Sequence, residues 1–464
     1  LATQMKTSAA TIAIMLSYCF AGCVGPRLES VGSVEEYLRN AGVDPQRVAR
    51  VENGFYVDVS GRKVPAPDGS FRISAAFTQI ADFRLLKPIP VVTLNAGGTK
   101  VSDLSPLQGM QLRELRLCGT TVADLSPIRG MPLRVLDLSG NLAVTDLSPL
   151  RGAPLAELHI GHTAIKDIVP LADMPLKWLT MGYSRVADVT PLEGVPLEIL
   201  DLGGCPVTDI TALKGMPLTH LYLQNTPIAD LSPLRGIPLT HLDLRGTPVT
   251  DLSPLRGMPL RILRVRGSKA CDLSPLEGMP LRELDLTDTV VKDIGALKGM
   301  PLRFLNLTNT DVEDITVLEG MPLESLGLSG TRVVDLSPLE GMPLESLGLS
   351  GTRVADLSPL EGMPLRWLYL SNCHAIADLS AFRASKLGSL VIESCPKLKD
   401  LSLLQDMQLV YLRCSPEVAR ANAGVLRSIG SLREINGVSP GMFWARYSEG
   451  RQDGQPNQLL RRTP

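Results

Sequence analysis

One repetition constrains this chain more than any other feature. Gly320 to Glu340 reads GMPLESLGLSGTRVVDLSPLE, and Gly341 to Glu361 reads GMPLESLGLSGTRVADLSPLE, differing only at Val334 against Ala355. A catalytic constellation needs each residue once, whereas a unit that stacks on copies of itself has no such limit. A landmark Asp precedes the apolar residue of D-L-S-P-L. It recurs at Asp103, Asp124, Asp146, Asp167, Asp188 and Asp209 and continues to Asp400. The steps are 21 residues, with 22 between Asp124 and Asp146, between Asp356 and Asp378, and between Asp378 and Asp400. A fixed short period of this kind means one small structural unit per repeat, burying its faces against its neighbours.

The inside of the unit says what that structure is. In Leu112-Arg113-Glu114-Leu115-Arg116-Leu117-Cys118-Gly119-Thr120 the apolar residues stand at positions 1, 4 and 6. The segment L-x-L is a short strand, with leucines turned inward and the residues between them outward. T-x-V-x-D-L then sends two more apolar side chains into the same core. S-P-L-x-G-M-P closes the coil: Ser reads as the N-cap, Pro as the first helical residue, and Gly as the stop. The second Pro blocks continuation. There is room for one tight turn of 3₁₀ type.

These residues resemble the leucine-rich repeat family. D-L-S-P-L behind L-x-x-L-x-L is most similar to the internalin-type subclass, although the unit here is mostly 21 residues and position 9 is often Thr, as at Thr120, Thr163, Thr226, Thr247, Thr289, Thr310, Thr331 and Thr352. The resemblance covers residues 91–413. It implies an α/β solenoid with a parallel β-sheet on the concave face, short 3₁₀ or turn segments on the convex face, and a cap at both ends. A Thr hydroxyl at position 9 is expected to bond neighbouring backbone as the family's Asn would, less completely. The G-M-P-L wording and Ile435 to Trp444, INGVSPGMFW, also resemble repeat proteins of planctomycete-like bacteria, some of which are fused to serine/threonine kinases.

The segments outside the repeat divide the rest. Met5-Lys6, an apolar run from Ala9 to Gly22, and Cys23 read as a lipoprotein-type signal peptide over 1–22. Phe20-Ala21-Gly22-Cys23 resembles a lipobox, with Cys23 the residue that carries the lipid. Residues 23–90 form a linker and N-terminal cap, with a helix over Val34 to Ala41 and a hairpin over Gly54 to Val64. Residues 91–413 are the solenoid. Residues 414–464 are a C-terminal helical cap and tail: a helix from Pro416 to Ile429, a last strand from Leu432 to Ile435, and a second helix from Ser439 to Tyr447 that brings Phe443 and Trp444 to the edge. The expected location is therefore the cell envelope, as an exported, membrane-anchored lipoprotein. With an unprocessed leader it is the cytoplasm.

Charge and cysteine content narrow the functional class. The formal net charge is −2 and aromatic residues are 4% of the chain, without the basic face and interleaved aromatics that nucleic acid requires. The eight cysteines show no C-x-x-C and no zinc spacing. Cys205, Cys373 and Cys395 occupy the inward position 9 and read as buried free thiols, with a bridge between Cys373 and Cys395 disfavoured. No phosphate loop, kinase motif set, H-E-x-x-H or G-x-S-x-G occurs. Neither catalytic residues nor a cofactor nor a metal is assigned.

A function therefore belongs on the outward strand positions, whose columns are spaced about 4.8 Å from coil to coil. The column before the second leucine includes Trp178, His220, His241, Phe304 and Trp367; the next includes Tyr222, Asp243, Arg264 and Tyr369. Tyr183 follows two residues beyond its strand. Two of the three Trp and four of the five His fall on this face, counting His162. Exposed aromatics gathered on one face favour a protein partner. The candidate binding residues are Trp178, Tyr183, His220, Tyr222, His241, Asp243, Arg264, Phe304, Trp367 and Tyr369. His220 and His241, with Asp201 and Asp243 alongside, are weighed as metal ligands and set aside because a flat sheet face encloses an ion poorly. Arg245, Arg264 and Arg266 read as a basic cluster neutralised by Asp243 and Asp285. The expected function is non-enzymatic binding of a protein, or of a cell-surface polymer, through the concave face. The alternative is a cytoplasmic scaffold working with a bacterial serine/threonine kinase system.

Overall fold

The computed structural model describes residues 48–50, 55–57, 63–65, 71–74, 83–86, 91–383 and 385–448. The expected leader, Cys23, the helix over 34–41 and the tail beyond 448 lie outside the described residues. The chain divides into two compact units, Leu1–Val249 and Thr250–Pro464.

In the first unit, β1 (Val48–Arg50) pairs antiparallel with β4 (Phe71–Ser74), and β4 lies parallel to β5 (Val91–Asn95). Between them in sequence, β2 (Phe55–Val57) and β3 (Lys63–Pro65) form the antiparallel hairpin that the sequence suggests. From β5 onward every coil adds one three-residue parallel strand: β6 (Glu114–Arg116), β7 (Val135–Asp137), β8 (Glu157–His159), β9 (Trp178–Thr180), β10 (Ile199–Asp201), β11 (His220–Tyr222) and β12 (His241–Asp243). Residues at equal places in successive units lie side by side, as at Ile199, His220 and His241.

The second unit repeats the plan with β13 (Ile262–Arg264), β14 (Glu283–Asp285), β15 (Phe304–Asn306), β16 (Ser325–Gly327), β17 (Ser346–Gly348), β18 (Trp367–Tyr369), β19 (Ser389–Ile392) and β20 (Tyr411–Cys414), all parallel. β21 (Glu434–Ile435) adds to β20. The helix expected over 416–429 is two, α1 (Pro416–Ala421) and α2 (Ala423–Ser428), followed by α3 (Pro440–Ser448). Asn422 makes the break. Its side chain accepts the Leu401 N–H at 2.9 Å and donates to the Lys399 carbonyl at 2.8 Å, tying the helices to the preceding coil. The Arg427 guanidinium stands 4.7 Å over the Trp444 ring, and Phe443 meets Trp444 edge to face.

The core is the inward leucine columns. Leu115, Leu179, Leu221, Leu305 and Leu347 are each fully buried, at roughly 1.5–3 kcal/mol of transfer free energy per side chain. The closing turns are 3₁₀, such as Ser105–Leu107 and Ser337–Leu339. Their cap is not the Ser that the sequence suggests. The Asp two residues earlier supplies the acceptors: Asp103 takes the Ser105 N–H and hydroxyl, both at 2.8 Å, and Asp335 does the same for Ser337. This is an Asx turn, with the carboxylate mimicking a backbone carbonyl. Hydrogen bonds from the Ser105 and Ser126 backbone N–H and hydroxyl hold the Asp103 and Asp124 carboxyls below their usual range. The glycine that ends the turn, Gly109 for example, has φ +83, a left-handed conformation that a Cβ would strain.

Position 9 corrects a second expectation. The Thr hydroxyls turn back on their own coil: Thr163 donates to Ile160 and Thr331 to Leu328, three residues earlier. Asn and Cys reach the preceding coil instead. Asn141 donates to both Leu117 and Leu138 carbonyls and accepts from Thr120. Cys205 donates to the Met181 carbonyl, Cys373 to Leu349 and Cys395 to Leu370. All three thiols are free.

Candidate functional site: the outward face of the strands

The two units present different outward surfaces. In the first, β9 to β12 bring Trp178, Tyr222, His220 and His241 together in adjoining columns. His220 and His241 stack with centroids 4.0 Å apart and planes 13° off parallel. The Thr219 hydroxyl donates to the Glu198 carbonyl at 3.1 Å and contacts His220 Nδ1 at 2.9 Å; Thr240 repeats this with the Thr219 carbonyl and His241 Nδ1. A hydroxyl has one proton, and here the carbonyl takes it, so both Nδ1 atoms carry hydrogen and donate to Thr. Both rings therefore carry hydrogen on Nδ1, and burial holds the His220 pKa below its ordinary value. His159, beside Trp178 in an edge-to-face contact at 5.1 Å, is likewise pushed down by burial, against the raising influence of Asp137.

Tyr183 is half exposed, at 51%, and has φ +58. His162, one coil earlier, has φ +54, and the two rings stack at 4.8 Å, 11° from parallel. Other coils put Gly at this place, such as Gly140, Gly246 and Gly330, or a short polar residue, such as Asn225, Asp288 and Asn309. A bulky residue there costs on the order of 1 kcal/mol, and the exposed rings recover little of it by burial.

Alternation suggests that outward residues are open to solvent, yet several outward charges are nearly buried. Asp201 and Asp243 flank Tyr222 at 3% and 1% exposure. Asp243 is paired with Arg245 at 2.6 Å. For Asp201 burial dominates and raises its carboxyl to about 6, with the nearby Asp243 charge adding to the rise and hydrogen bonds from Gly203 and Gln224 opposing it. Nearer the first coils, Glu114 and Arg116 form a buried pair at 2.7 Å. Asp201, His159 and His162 were not singled out as site residues by sequence reasoning. The available signal was the non-Gly residue at the left-handed position and the Asp column itself.

In the second unit Phe304, Trp367 and Tyr369 are half-buried and separated by the two duplicated coils, where Ser325, Gly327, Ser346 and Gly348 face outward. Arg264 is paired with Glu283 at 2.7 Å and Arg266 with Asp288 at 3.2 Å. The arginines expected as one basic cluster are thus each held by a neighbouring acid, and Asp285, expected to neutralise them, instead accepts both the N–H and the hydroxyl of Thr287. Among the described residues no group of three or more His, Cys, Asp or Glu is placed to hold a metal ion, and no helix is long and apolar enough to cross a membrane.

Comparison with known proteins agrees with this architecture. No family model and no curated protein matches the chain. Among solved structures, an internalin, InlF, from Listeria monocytogenes is similar over 64% of this chain and 86% of its own, at 26% identity and a TM-score of 0.51. The fold is that of a leucine-rich repeat solenoid. The functional domain of InlJ from the same organism aligns over 74% of this leucine-rich repeat chain and 72% of its own, at 18% identity and a TM-score of 0.48.

Proposed function

We propose that this leucine-rich repeat protein is a non-enzymatic binder that docks another protein on the outward strand face of its first unit. The observation that carries the reading is the exposed, stacked His162–Tyr183 pair, built at left-handed positions where the other coils place Gly or a short polar residue such as Asn225 or Asp288. Strain without burial is a cost that stability does not explain, and contact with a partner does. Trp178, Tyr222 and the His220–His241 stack supply rigid, half-buried anchors beside it, of the kind that dominate protein interfaces. Phe304, Trp367 and Tyr369 offer separate, more widely spaced contacts in the second unit. The D-L-S-P-L wording resembles that of internalin-type proteins, and the G-M-P-L units resemble those of planctomycete-like bacteria.

The test uses the full chain, immobilised and offered a cell-envelope extract. A protein captured by the wild type, lost with Trp178→Ala combined with Tyr183→Gly, and kept with Glu340→Ala on the turn side supports the reading. Equal capture by the double variant overturns it.

Export rests on the leader alone. Expressed in a bacterial host, the chain is expected in the membrane fraction, beginning at Cys23 with added acyl mass. An unprocessed, soluble chain would reject the lipoprotein reading and favour a cytoplasmic scaffold attached to a kinase system.

A further inference from the structure

Asp201 sits in the outward column of β10 with Thr180 on one side and Tyr222 on the other, and its carboxylate is covered rather than solvated. Oδ1 accepts the Gly203 N–H at 2.8 Å, and Gln224 is its only other hydrogen-bond partner among the described residues. No cation pairs with it among the described residues, whereas Asp243, two coils on, has Arg245. The carboxylate lies against Gly182: a Cβ there would stand 3.1 Å from Oδ2 and 3.3 Å from Oδ1. The Gln224 amide lies across Gly203, in the space a Cβ would fill, and its Oε1 is buried with no hydrogen-bond partner. Next to it the Tyr183 ring rests on Gly204, 2.5 Å from where a Cβ would be, with His162 stacked on the ring.

Two acceptors, one of them a carboxylate, thus converge beside an exposed aromatic stack and bare backbone. That set asks for a donor-only, positively charged group. A guanidinium has five N–H donors and no acceptor and binds carboxylate through two parallel bonds. An ammonium supplies the charge without the plane.

We infer that this notch of Asp201, Gln224, Tyr183 and His162 receives an arginine side chain of the docked protein. The guanidinium takes the Asp201 carboxylate and Gln224 Oε1 as acceptors and meets the edge of the Tyr183 ring, whose faces Gly204 and His162 cover; Gln224 Nε2 gives up Asp201 as it enters. The inference deepens the docking reading and names the partner's chemistry at one point.

The probe is acetyl-arginine methylamide, titrated against the full chain by saturation-transfer NMR, with the neutral citrulline analogue as comparison. Arginine is expected to bind saturably and citrulline at least tenfold more weakly. Asp201→Asn should cost at least tenfold. Gly182→Ala should also weaken binding, because its methyl closes the approach while the carboxylate stays. Among the described residues the titratable groups around Asp201 are Cys205 on its own coil, Tyr222 on β11 and Asp243 on β12, the latter held by Arg245; the preceding coil offers Thr180, Gly182 and the notch's own Tyr183. With its carboxyl raised to about 6, Asp201 goes from mostly protonated to mostly ionised between pH 5 and pH 7, so affinity for the arginine probe should rise about tenfold across that range. Equal binding of citrulline, unchanged binding by Asp201→Asn, or no saturable binding overturns the notch. None of these touches the capture experiment with Trp178 and Tyr183, so the two readings fail separately.

Discussion

The sheet faces of the two units each stand on a core of inward leucines and do different things with it. In the first, the outward columns carry stacked histidines, an aromatic pair in a strained conformation and carboxylates buried to a few per cent. In the second, two coils have no outward side chain larger than Ser, and the arginines are neutralised by neighbouring acids. Duplication at Gly320 to Glu361 copies the parts that stabilise a coil. It leaves the outward positions plain, as a recent structural copy would be. The first unit spends stability on its surface, which is what a binding face does.

The largest expected effect erases the contrast. Leu221→Ala in the first unit and Leu326→Ala in the second should each cost about 2–5 kcal/mol, because both side chains are buried to 1% or less at the equivalent inward position of their coils. Denaturant unfolding of the two variants checks this; a difference above about 2 kcal/mol would mean that the cores are not equivalent. Next comes Asn141→Ala, which removes three side-chain hydrogen bonds, to the Leu117 and Leu138 carbonyls and from the Thr120 hydroxyl. It should destabilise by about 2 kcal/mol, against about 1 kcal/mol for Thr331→Ala, whose hydroxyl serves one carbonyl.

Asp201→Asn should go the other way. Because the folded carboxyl is raised above its unfolded value, the fold is penalised for ionising it. The stability it allows is full below about pH 4 and is lost as pH rises through about 6. At pH 7.5 the Asn variant should therefore be more stable by about 1–3 kcal/mol, with the gain gone at pH 4. Urea midpoints at the two pH values decide it, and an equal gain at both would assign the effect to packing. His159 and His220 act with the opposite slope. Their pKa values are depressed, so their contribution is intact above the unfolded value near 6.5 and falls away as pH drops below it. The smallest effect is Tyr183→Gly. Relief of the left-handed strain offsets the lost ring stack, so stability should change by less than about 1 kcal/mol while partner capture is lost.

Much of this was legible without coordinates. The Asp landmark and the 1-4-6 leucine pattern predict coil, strand and turn, and strand register follows from the period because equivalent residues must stack. The turn's cap was misread because Asp and Ser are both good capping residues, and only backbone geometry shows which one supplies the acceptor. The arginines are neutralised as expected, with Asp243 on Arg245, but Asp285 was misassigned for a related reason. Columns say which residues are neighbours, not toward which coil a long side chain leans, and Arg264 leans to Glu283.

By itself the sequence determined the stack: its period, its inward columns, and which residues line the strand face. These follow from local pattern, since alternation along a strand and the spacing of coils admit one arrangement. Tertiary structure alone decided the chemistry of that face. Whether Asp201 is solvated or buried, whether His220 and His241 stack, and whether Tyr183 stands in a left-handed turn depend on residues one and two coils away. Burial and ring contact are properties of neighbours brought together by the stack, and a period records only that they are neighbours.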